Sequence, residues 1–418
     1  MSKIDELLAQ QCPNGVEFKT LGELGTFLGG LSGKSKEDFK NGNAKFITYM
    51  NVFSNISLNL DVTDTVKIGE GEKQNTIQYG DVLFTGSSET PNECGMSSVL
   101  TVRTDEMLYL NSFCFIYRFN DPELFLPSFS KYLFRSDYLR KQIIKTASGV
   151  TRFNVSKAKM AKVKIPVPPL EVQAEIVKVL DNFTELTAEL TAELTARKKQ
   201  YEYYRDFLLD FDVHEGGTNE CEWRTIKEIF DIRNGYTPSK SNVEYWENGI
   251  IPWFRMDDIR ENGRILSNSI QHIARKGVKK SGIFPANSLI MSTTATIGEH
   301  ALIKTNFVCN QQITCFSLKQ EYSSKINIKF VFYLFFNFGE WCRNNVNNGG
   351  GLPIINTAKL STYKIPIPTI EKQKRIVSIL DRFDKLCNDI SEGLPAEIEA
   401  RRKQYEYYRD KLLSFKEQ

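Results

Sequence analysis

The segment Gly29–Ser35 comes closest to a known chemical motif in this sequence. It reads Gly-Gly-Leu-Ser-Gly-Lys-Ser. A phosphate-binding loop has the form Gly-x4-Gly-Lys-Ser/Thr, because that length of backbone wraps around the β-phosphate of a nucleotide. The first glycine of that pattern would stand at position 28, which is Leu28. The segment therefore does not predict a nucleotide site.

No other residues have the spacing of a catalytic or metal-binding set. The histidines His214, His272 and His300 are not spaced as metal ligands with one another or with a cysteine. The sequence has no Gly-x-Ser-x-Gly nucleophile motif and no Asn/Asp-Pro-Pro-aromatic motif of the enzymes that methylate exocyclic amino groups of bases. The eight cysteines form no Cys-x-x-Cys pair, so we expect reduced, mostly buried thiols. These features favour a binding protein without catalytic residues, metal or cofactor.

Length and composition bound the class of protein. A chain of 418 residues predicts two or more domains, and 41% hydrophobic with 25% charged residues is typical of globular proteins. The 54 basic and 51 acidic residues exclude a polycation but allow a local basic groove. No apolar run is long enough to cross a bilayer, and the first residues lack the pattern of a signal peptide. We expect a cytoplasmic protein without membrane contact.

An internal repeat organises the chain. Residues 164–183 recur as residues 364–383 with 11 of 20 positions identical, and each copy begins with Lys-Ile-Pro-x-Pro. Residues 196–209 recur as residues 400–413 with 12 of 14 positions identical. Two nearly constant blocks therefore alternate with two variable blocks, and the repeat must be considered before any secondary structure.

The variable blocks agree only in short segments. Gly15–Leu24 lines up with Glu220–Ile229 by its apolar positions, and Asn111-Ser-Phe and Asn310-Gln-Gln follow similar apolar runs. The place of Gly29–Ser35 is taken by Gly235-Tyr-Thr-Pro-Ser-Lys240, so a Gly-x-Ser/Thr turn is shared and the phosphate-binding pattern is not.

The constant blocks predict helices that pair with each other. Apolar residues alternate at spacings of three and four, which is the pattern of a coiled-coil seam. In the first copy the seam consists of Ile176, Leu180, Phe183, Leu190, Leu194, Tyr201, Tyr204 and Leu208. In the second copy it consists of Ile376, Leu380, Phe383, Ile390, Leu394, Ile398, Tyr405, Tyr408 and Leu412.

The second helix should be interrupted. Its seam has four more residues between Phe383 and Tyr405 than the first copy has between Phe183 and Tyr201, which is a stutter in the heptad pattern. Gly393 and Pro395 fall within this stretch and predict a kink or break there.

The variable blocks predict an α+β fold. Ile77–Phe84 and Phe284–Met291 each read as a turn followed by a buried strand. Pro127–Lys145 and Ile328–Val346 read as helices that pack against such a sheet. The fold prediction is two α/β recognition domains separated by two long antiparallel coiled-coil helices, with a pseudo-two-fold internal repeat. Its boundaries are 1–163 and 214–363 for the domains, and 164–213 and 364–418 for the helices.

The repeated words resemble those of a known family. Ile-Pro-x-Pro, Glu-x-Gln, Ile-Val-x-Ile/Val-Leu-Asp and Arg-Lys-Gln-Tyr-Glu-Tyr-Tyr-Arg-Asp are similar to the DNA-specificity subunit of type I restriction-modification enzymes. Asn234–Ser239, Ile251-Pro-Trp253 and Asn310-Gln311 resemble that family's target-recognition domains. The first half departs from the pattern, because it has Leu31–Lys34 and Ile47-Thr-Tyr49 where the second half has Thr-Pro-Ser and Pro-Trp.

The resemblance implies a function. Each variable block would read one half of a bipartite sequence in double-stranded DNA, and the constant helices would bind two modification subunits. Those subunits would use S-adenosylmethionine to methylate adenine, and restriction subunits using ATP and Mg would join through them. The chain itself would hold no cofactor.

Candidate DNA-binding residues follow from residue type and place, although the same types also serve in turns and strand ends. In the first domain they are Lys34, Lys36, Tyr49, Asn51, Ser87, Ser88, Arg152 and Asn154. In the second domain they are Tyr236, Thr237, Lys240, Arg255, Asp257, Thr293, Gln311, Gln312 and Asn348.

Two other classes of function stay open from the residues alone. A structural coiled-coil scaffold would explain the helices but not two variable domains. A self-contained DNA methyltransferase or nuclease would need a cofactor or catalytic motif, and the sequence has none.

Overall fold

The protein is described by a computed structural model. The structure describes residues 3–211, 221–280, 282–346, 353–389 and 392–418. The chain forms two compact units: unit 1 contains Met1–Thr191 and Glu397–Gln418, and unit 2 contains Ala192–Ala396. Each unit therefore combines a variable block with parts of both constant blocks. The boundaries predicted from the sequence follow the internal repeat, whereas the two units are defined by their compactness. The predicted boundaries stay a prediction.

Unit 1 is built on short, mostly antiparallel sheets. Its central sheet has four antiparallel strands, in the order Gly25–Gly29, Cys114–Phe119, Val82–Thr85 and Ser97–Val99. A second sheet has the order Thr65–Val66, Ala44–Ile47 and Leu108–Leu110, the last two parallel. A third sheet has the order Ala147–Ser148, Phe153–Val155 and Ser87–Ser88, and Glu17–Thr20 pairs with Lys164–Val167.

The helices of unit 1 pack on both faces of the central sheet, since Val52 shares a core with Leu83 and Ile116 of the face opposite Phe84. The α-helices confined to this unit's variable block are Lys3–Gln11, Leu21–Leu24, Tyr49–Ser54, Pro127–Leu133, Asp137–Ile144 and Lys157–Met160, and the 3-10 helices are Lys36–Phe39 and Pro91–Glu93. Phe84 and Phe115 of the sheet belong to one hydrophobic core with Phe129, Ile176 and Leu180. The start of the first constant helix is thus part of the core of unit 1.

Unit 2 repeats this plan. Its main sheet has the order Phe230–Asn234, Ile313–Leu318, Ser288–Ser292, His300–Ile303 and Ile265–Leu266. A second sheet has the order His272–Ile273, Ile251–Phe254 and Val308–Cys309, and Cys221–Thr225 pairs with Lys364–Pro368. The α-helices of its variable block are Ile226–Ile229, Met256–Asn262, Ile328–Asn344 and Thr357–Leu360, and the 3-10 helices are Val243–Tyr245, Arg275–Gly277 and Gln320–Tyr322.

The constant blocks are helical, as predicted. The first is one helix of 40 residues, Leu170–Leu209. The second forms two helices, Ile370–Asn388 and Leu394–Leu412, so the predicted break is confirmed. Gly393 lies at the break, where a Cβ atom would stand 2.6 Å from the carbonyl oxygen of Lys385. Only glycine fits such a close approach of backbone.

The Ile-Pro-x-Pro segments are extended, as predicted. Each one forms a strand that pairs antiparallel with the strand that begins the same unit's variable block, with Lys164 opposite Thr20 and Lys364 opposite Thr225. Proline is tolerated because each of these ladders has only two strands. Each constant helix is therefore anchored beside the start of the variable block of its unit.

One helix prediction is wrong in part. Pro127–Lys145 is divided into Pro127–Leu133 and Asp137–Ile144, whereas its counterpart Ile328–Asn344 is continuous. The side chain of Ser136 accepts a hydrogen bond from the amide of Leu139 and caps a new helix. Serine competes with the helix for backbone hydrogen bonds, so it favours such a position. The predicted strands are confirmed, as Val82–Thr85 and Ser288–Ser292.

Candidate nucleic-acid interface

The same backbone turn stands at the edge of the sheet in both units. In unit 1 the amide of Asn111 donates to Ile47 (2.9 Å), and the Asn111 side chain accepts from the amide of Phe113 (2.9 Å). In unit 2 the amide of Asn310 donates to Phe254 (3.0 Å), and the Asn310 side chain accepts from the amide of Gln312 (3.1 Å). The predicted alignment of Asn111-Ser-Phe with Asn310-Gln-Gln is confirmed.

A glycine packs against each of these turns. A Cβ atom at Gly30 would lie 2.2 Å from the carbonyl oxygen of Asn111, and one at Gly235 would lie 2.2 Å from that of Cys309. These distances exclude any side chain, so the shared Gly-x-Ser/Thr turn is a packing requirement. Lys34, which follows Gly30, pairs with Glu72 at 2.6 Å and donates to the Lys67 carbonyl.

This ion pair explains the lysine of the glycine-rich segment. Lys34, with two neighbouring hydrogen bonds, lowers the pKa of Glu72 to about 2. The Lys34 side chain is only 8% exposed, so its charge is neutralised inside unit 1. Lys36, by contrast, is exposed.

Unit 1 has a concave site of about 300 Å³ next to the Asn111 turn. It brings together four of the predicted residues, and its lining consists of Tyr49, Met50, Phe53, Ser87, Ser88, Glu89, Glu93, Phe113 and Arg152. Tyr49 donates through its hydroxyl to the Ser87 carbonyl (2.8 Å), and Arg152 donates to the Ser87 hydroxyl (3.3 Å). Burial raises the pKa of Tyr49, so its phenol is neutral and can donate.

Two further candidates of unit 1 have different surroundings. Asn154 is exposed and lies on the strand that pairs with Ser87. Asn51 is used within the fold, because its amide group donates to the carbonyl of Asn59 (2.8 Å) and accepts from the amide of Asn59 (3.1 Å). These bonds fix the loop that follows the helix Tyr49–Ser54.

In unit 2 the candidates form two groups around the Asn310 turn. Thr237 donates to the side chain of Gln311, so the glycine turn and the asparagine turn are joined. The backbone amide of Thr293 donates to the Gln312 carbonyl (3.0 Å), and the Thr293 side chain is buried. Gln311 and Gln312 are exposed.

The other group of unit 2 is charged. Arg255 stands before the helix Met256–Asn262, lies 3.4 Å from Asp257 and stacks over the ring of Trp253. The Nε atom of Arg255 is buried and has no hydrogen-bond partner among the described residues. A buried guanidinium nitrogen without an acceptor favours an added acceptor such as a phosphate or a base edge.

The remaining candidates of unit 2 divide by exposure. Tyr236 is 7% exposed, and its hydroxyl accepts from the amide of Lys279 (2.8 Å), so it supports the fold. Lys240 is exposed. Asn348 lies outside the described residues.

Two arginines of unit 1, Arg135 and Arg140, donate to backbone carbonyls of the unit and are not available to a ligand. Arg135 is half-buried and donates to the carbonyls of Ser97 (2.7 Å), Val52 (3.1 Å), Phe53 (3.0 Å) and Asn55 (3.4 Å). These carbonyls lie at or just beyond the end of the helix that carries Tyr49, apart from Ser97. Burial lowers the pKa of Arg135 to about 10, so it remains a cation at neutral pH.

Arg140 has a comparable role, because it donates to the carbonyls of Asn92 (2.9 Å) and Cys94 (2.6 Å). Burial lowers its pKa to about 10. Sequence reasoning could not separate these guanidiniums from exposed ones, since only the fold distinguishes them.

Unit 2 places a guanidinium in the same region by another route. Phe336 holds the position that corresponds to Arg135. Each follows by three residues a tyrosine, Tyr333 or Tyr132, that donates to an aspartate of a constant helix. Arg264 donates to the His300 carbonyl (3.2 Å) and stacks over Phe336. In unit 2 the arginine therefore comes from a different part of the chain, and an apolar residue, Phe336, stands where unit 1 has Arg135.

The position of Arg264 in unit 2 also has an equivalent in unit 1. In unit 1 the amide of Val99 donates to the Ile56 carbonyl (3.0 Å), and in unit 2 the amide of Leu302 donates to the Arg264 carbonyl (2.8 Å). Ile56 and Arg264 therefore hold equivalent positions. Unit 1 has arginine in the turn after the helix Pro127–Leu133 and isoleucine on the loop. Unit 2 has phenylalanine on the helix Ile328–Asn344 and arginine on the loop.

Each constant helix is attached to its unit by the same buried glutamine. Gln173 donates to the carbonyls of Leu124 (3.1 Å) and Pro168 (2.8 Å) and accepts from the amide of Leu126 (2.9 Å). Gln373 donates to the carbonyls of Lys325 (2.9 Å) and Pro368 (2.8 Å) and accepts from the amide of Asn327 (2.8 Å). The Glu-x-Gln word of the repeat is thus an attachment point.

A tyrosine–aspartate bond repeats in the same way. Tyr132 donates to Asp181 at 2.6 Å, and Tyr333 donates to Asp381 at 2.6 Å. A lysine pairs with each aspartate at 2.8 Å, Lys131 in unit 1 and Lys329 in unit 2. Identical aspartates in the constant blocks therefore bind equivalent tyrosines, while the paired lysines come from different positions, one residue before Tyr132 and four residues before Tyr333.

Within each unit, the start of one constant helix contacts the end of the other. In unit 1 Phe183 stacks on Tyr408 with centroids 5.3 Å apart. In unit 2 Phe383 stacks on Tyr204 at 5.6 Å, and Leu380 and Tyr201 share its core.

The other residues predicted to pair the helices are buried to different degrees. Leu180 is buried in unit 1, while Tyr405, Leu190 and Leu194 are half-buried. Ile390 lies outside the described residues.

Metal ligands and membrane helices were sought in the same described ranges. No group of three or more His, Cys, Asp and Glu side chains in them could hold a metal ion. None of their helices has the length and apolarity that would let it cross a bilayer. His300 is buried, which lowers its pKa to about 3, so it is neutral. Six of the eight cysteines are buried thiols, as predicted.

Sequence reasoning missed Met50, Phe53, Glu89, Glu93 and Phe113 of the concave site. The candidates were chosen by polar type, so Gln312 was included and its counterpart Phe113 was not. The alignment of the two asparagine turns was the signal that could have identified Phe113.

Comparison with known proteins identifies the family. The family model described as the type I restriction modification DNA specificity domain matches this chain twice, over residues 13–197 and 219–400. These matches cover most of the chain and correspond to its two repeats. The chain belongs to the type I restriction-modification DNA specificity family, and the resemblance found in the sequence is confirmed.

Curated relatives from Escherichia coli agree with this assignment. The specificity subunit of the type I restriction enzyme EcoprrI is 48% identical over 205 residues, which are 47% of this chain and 51% of that protein. The specificity subunit of EcoR124I/EcoR124II is 44% identical over 274 residues, which are 62% of this chain and 65% of that protein. The chain thus spans between half and two thirds of the length of these relatives.

Solved structures share the fold. A chain from a structural study of the assembly and conformational transition of the type I R-M system superposes with a TM-score of 0.66 at 17% identity, covering 96% of this chain and 98% of that one. The HsdS subunit from Thermoanaerobacter tengcongensis gives a TM-score of 0.54 at 17% identity, covering 97% and 99%. The predicted α+β class with an internal repeat is confirmed.

Proposed function

We propose that this chain is the DNA-specificity subunit of a type I restriction-modification complex, and that each unit reads one half of an asymmetric bipartite site in double-stranded DNA. One observation carries the proposal. The two units present the same asparagine turn with different side chains, Phe113 in one and Gln312 in the other. A shared backbone frame with different side chains suits two different half-sites, because base edges are read by side-chain chemistry.

The repeated helices supply the docking surfaces in this proposal. Two modification subunits bind them, use S-adenosylmethionine to methylate adenine, and recruit restriction subunits that use ATP and Mg. Tyr203 and Tyr407 are equivalent in the repeat and are 64% and 61% exposed. Exposed aromatic residues are frequent anchors of protein interfaces, so their duplication supports two equivalent docking sites.

The specificity subunit is non-catalytic and holds no cofactor in this account. It works in the cytoplasm, where the genomic DNA of a bacterial host lies. The partner subunits supply much of the phosphate neutralisation, which agrees with a net charge of only +3.

A gel-shift experiment with the full chain separates this proposal from a structural scaffold. We expect sequence-specific retention of a duplex carrying the mapped site when the modification subunits are present, and a Tyr203→Ala, Tyr407→Ala double variant to lose partner binding. The matched control is Tyr138→Ala, which removes an exposed tyrosine of unit 1 outside the constant blocks. Absence of specific retention in the complete complex contradicts the proposal, and methyl transfer by the chain alone supports a self-contained enzyme.

A further inference from the structure

Two apolar side chains of unit 1 are exposed at its concave site. Phe113 is 56% exposed and Met50 is 59% exposed, and both line the site that also contains Tyr49, Ser87 and Arg152. The Phe113 backbone is fixed, since its amide donates to the Asn111 side chain and its carbonyl accepts from the amide of Gly86 (2.7 Å). The ring therefore projects from a rigid turn.

A second concave site lies on the other side of this ring. It is lined by Phe113 together with Asp64, Asn111 and Ser112 among others. The guanidinium of Arg152 lies 5.5 Å from the ring centroid, within the range of a cation–π contact. Phe113 thus lines both concave sites, and the guanidinium of Arg152 packs on one face of its ring.

The fold does not require apolar residues at these positions. In unit 2 the position of Phe113 is held by Gln312, as the asparagine turns show. The position of Met50 is held by Asp257, because Thr48 and Arg255 are the equivalent residues that precede the two helices. Unit 2 presents hydrogen-bonding groups where unit 1 presents hydrocarbon and sulfur.

The chemistry of the major groove identifies what such a pair can recognise. Among the base edges of B-form DNA, only the 5-methyl group of thymine is apolar in the major groove. Phenylalanine is one of the side chains that contact this methyl group. Polar edges would lose water against Phe113 and Met50 without gaining a hydrogen bond, which is unfavourable.

We propose that Phe113 and Met50 contact the 5-methyl group of a thymine in the half-site read by unit 1, whereas unit 2 reads its half-site by hydrogen bonds at the same two positions. Arg152 and Ser87 hold the ring and approach the adjacent phosphate or base. This inference rests on the proposed function of the chain and adds the chemical class of base that unit 1 selects.

The test uses the full chain assembled with its modification subunits and duplexes carrying the mapped site. Each thymine is replaced in turn by deoxyuridine, which lacks only the methyl group. We expect one replacement in the unit 1 half-site to weaken binding about four-fold, since a buried CH₂-sized group contributes about 0.8 kcal/mol. Replacements in the unit 2 half-site are the matched control and should leave binding unchanged.

A variant then links this effect to the residues. With Phe113→Gln, which installs the unit 2 residue, the complex should bind the thymine and deoxyuridine duplexes equally. Phe113→Leu keeps an apolar side chain and should still discriminate between them.

Three results overturn the inference. One is equal binding of all deoxyuridine duplexes by the wild-type complex, and another is a unit 1 half-site without thymine. The third is strong fluorescence of a 2-aminopurine placed in this half-site, because it would show that Phe113 separates stacked bases instead of touching a methyl group. If the wild-type complex binds no sequence preferentially, the proposed function itself fails, so the two failures are distinguishable.

Discussion

Unit 1 and unit 2 agree where they bind the constant helices and differ where they face outward. Gln173 and Gln373 make the same three hydrogen bonds, yet Met50 and Phe113 of unit 1 correspond to Asp257 and Gln312 of unit 2. The attachment must stay constant because both helices carry nearly the same sequence. The outward positions can diverge because the fold accepts different chemistry there: Asp257 pairs with Arg255, whereas Phe113 stacks with Arg152.

The exchanged arginines show a third behaviour. Both units place a guanidinium on a carbonyl of an equivalent strand, but Arg135 follows the helix Pro127–Leu133 and Arg264 follows the helix Met256–Asn262. A buried cation that satisfies several carbonyls is difficult to lose, whereas its origin can change if the opposite residue becomes apolar. Both units therefore retain a guanidinium–carbonyl hydrogen bond, although the arginine that makes it stands at a different position in each.

The largest effect is expected from Arg135→Met. The variant leaves carbonyls of Val52 and Phe53 without a donor, so unit 1 should lose about 3 kcal/mol of stability. Urea unfolding measures the change, and hydrogen exchange should show faster amides near Asn55. Arg152→Met is the control, because that guanidinium is exposed and its loss should cost below about 0.5 kcal/mol. Equal unfolding midpoints for the two variants would contradict the role of Arg135.

A double variant sharpens the same comparison. Arg135→Phe with Ile56→Arg installs the unit 2 arrangement in unit 1. If the positions are exchanged as described, Ile56→Arg should restore about 1 kcal/mol of the stability lost by Arg135→Phe. A double variant that is no more stable than the sum of the single losses would show that the two sites are independent.

The next largest effect is a difference in stability loss between alanine variants of Tyr201 and Tyr405, which are equivalent in the repeat. Tyr201 is 7% exposed, so Tyr201→Ala should cost about 3 kcal/mol. Tyr405, its repeat partner, is only half-buried, so Tyr405→Ala should cost about half as much. Thermal unfolding of both variants tests this order. Equal costs would show that the burial difference has no energetic consequence.

The glutamines should behave alike. Gln173→Leu and Gln373→Leu each leave a backbone amide and two carbonyls without a partner, at a cost of about 2 kcal/mol per variant. Glu171→Leu and Glu371→Leu, two residues earlier in the repeat, serve as controls with small effects. Costs that differ by more than about 1 kcal/mol between units would show that the attachment is not equivalent.

The repeat made much of the frame predictable. The constant helices, the extended Ile-Pro-x-Pro segments and the match of Asn111 with Asn310 followed from residues that recur. The break at Gly393 followed from the four residues by which the second copy is longer. The division of Pro127–Lys145 did not, because the capping role of Ser136 depends on local hydrogen bonding.

The site was harder to predict than the frame. Lys34 and Asn51 have candidate residue types, yet Glu72 and Asn59 occupy their polar groups. Phe113 has an apolar type that normally indicates burial, and only the structure reveals its exposure. Which polar groups are already satisfied is a property of long-range contacts, and residue type does not encode it.

The smallest effect is expected from moving the chain ends. In unit 1 the amide of Val16 donates to the Lys416 carbonyl (2.8 Å) and the amide of Gln418 donates back to the Val16 carbonyl (3.2 Å), so residue 16 lies beside residues 416–418. A permutant opened within residues 210–220 and closed by a short linker between the native ends should keep the methylation pattern of the wild type. A permutant that folds, as judged by circular dichroism, but methylates no site would contradict the two-fold order of the blocks.

One measurement tests the account most directly: mapping of methylated sites made by the wild-type complex and by a variant with a third copy of the Thr-Ala-Glu-Leu tandem at residues 187–194. Four added residues lengthen a helix by about 6 Å and rotate it by about 400°, which keeps the seam within about 40° of register. We expect two different half-sites, unchanged in the variant, with a spacer longer by about one to two base pairs. A palindromic site, an unchanged spacer or an altered half-site would contradict two separate readers held apart by the constant helices.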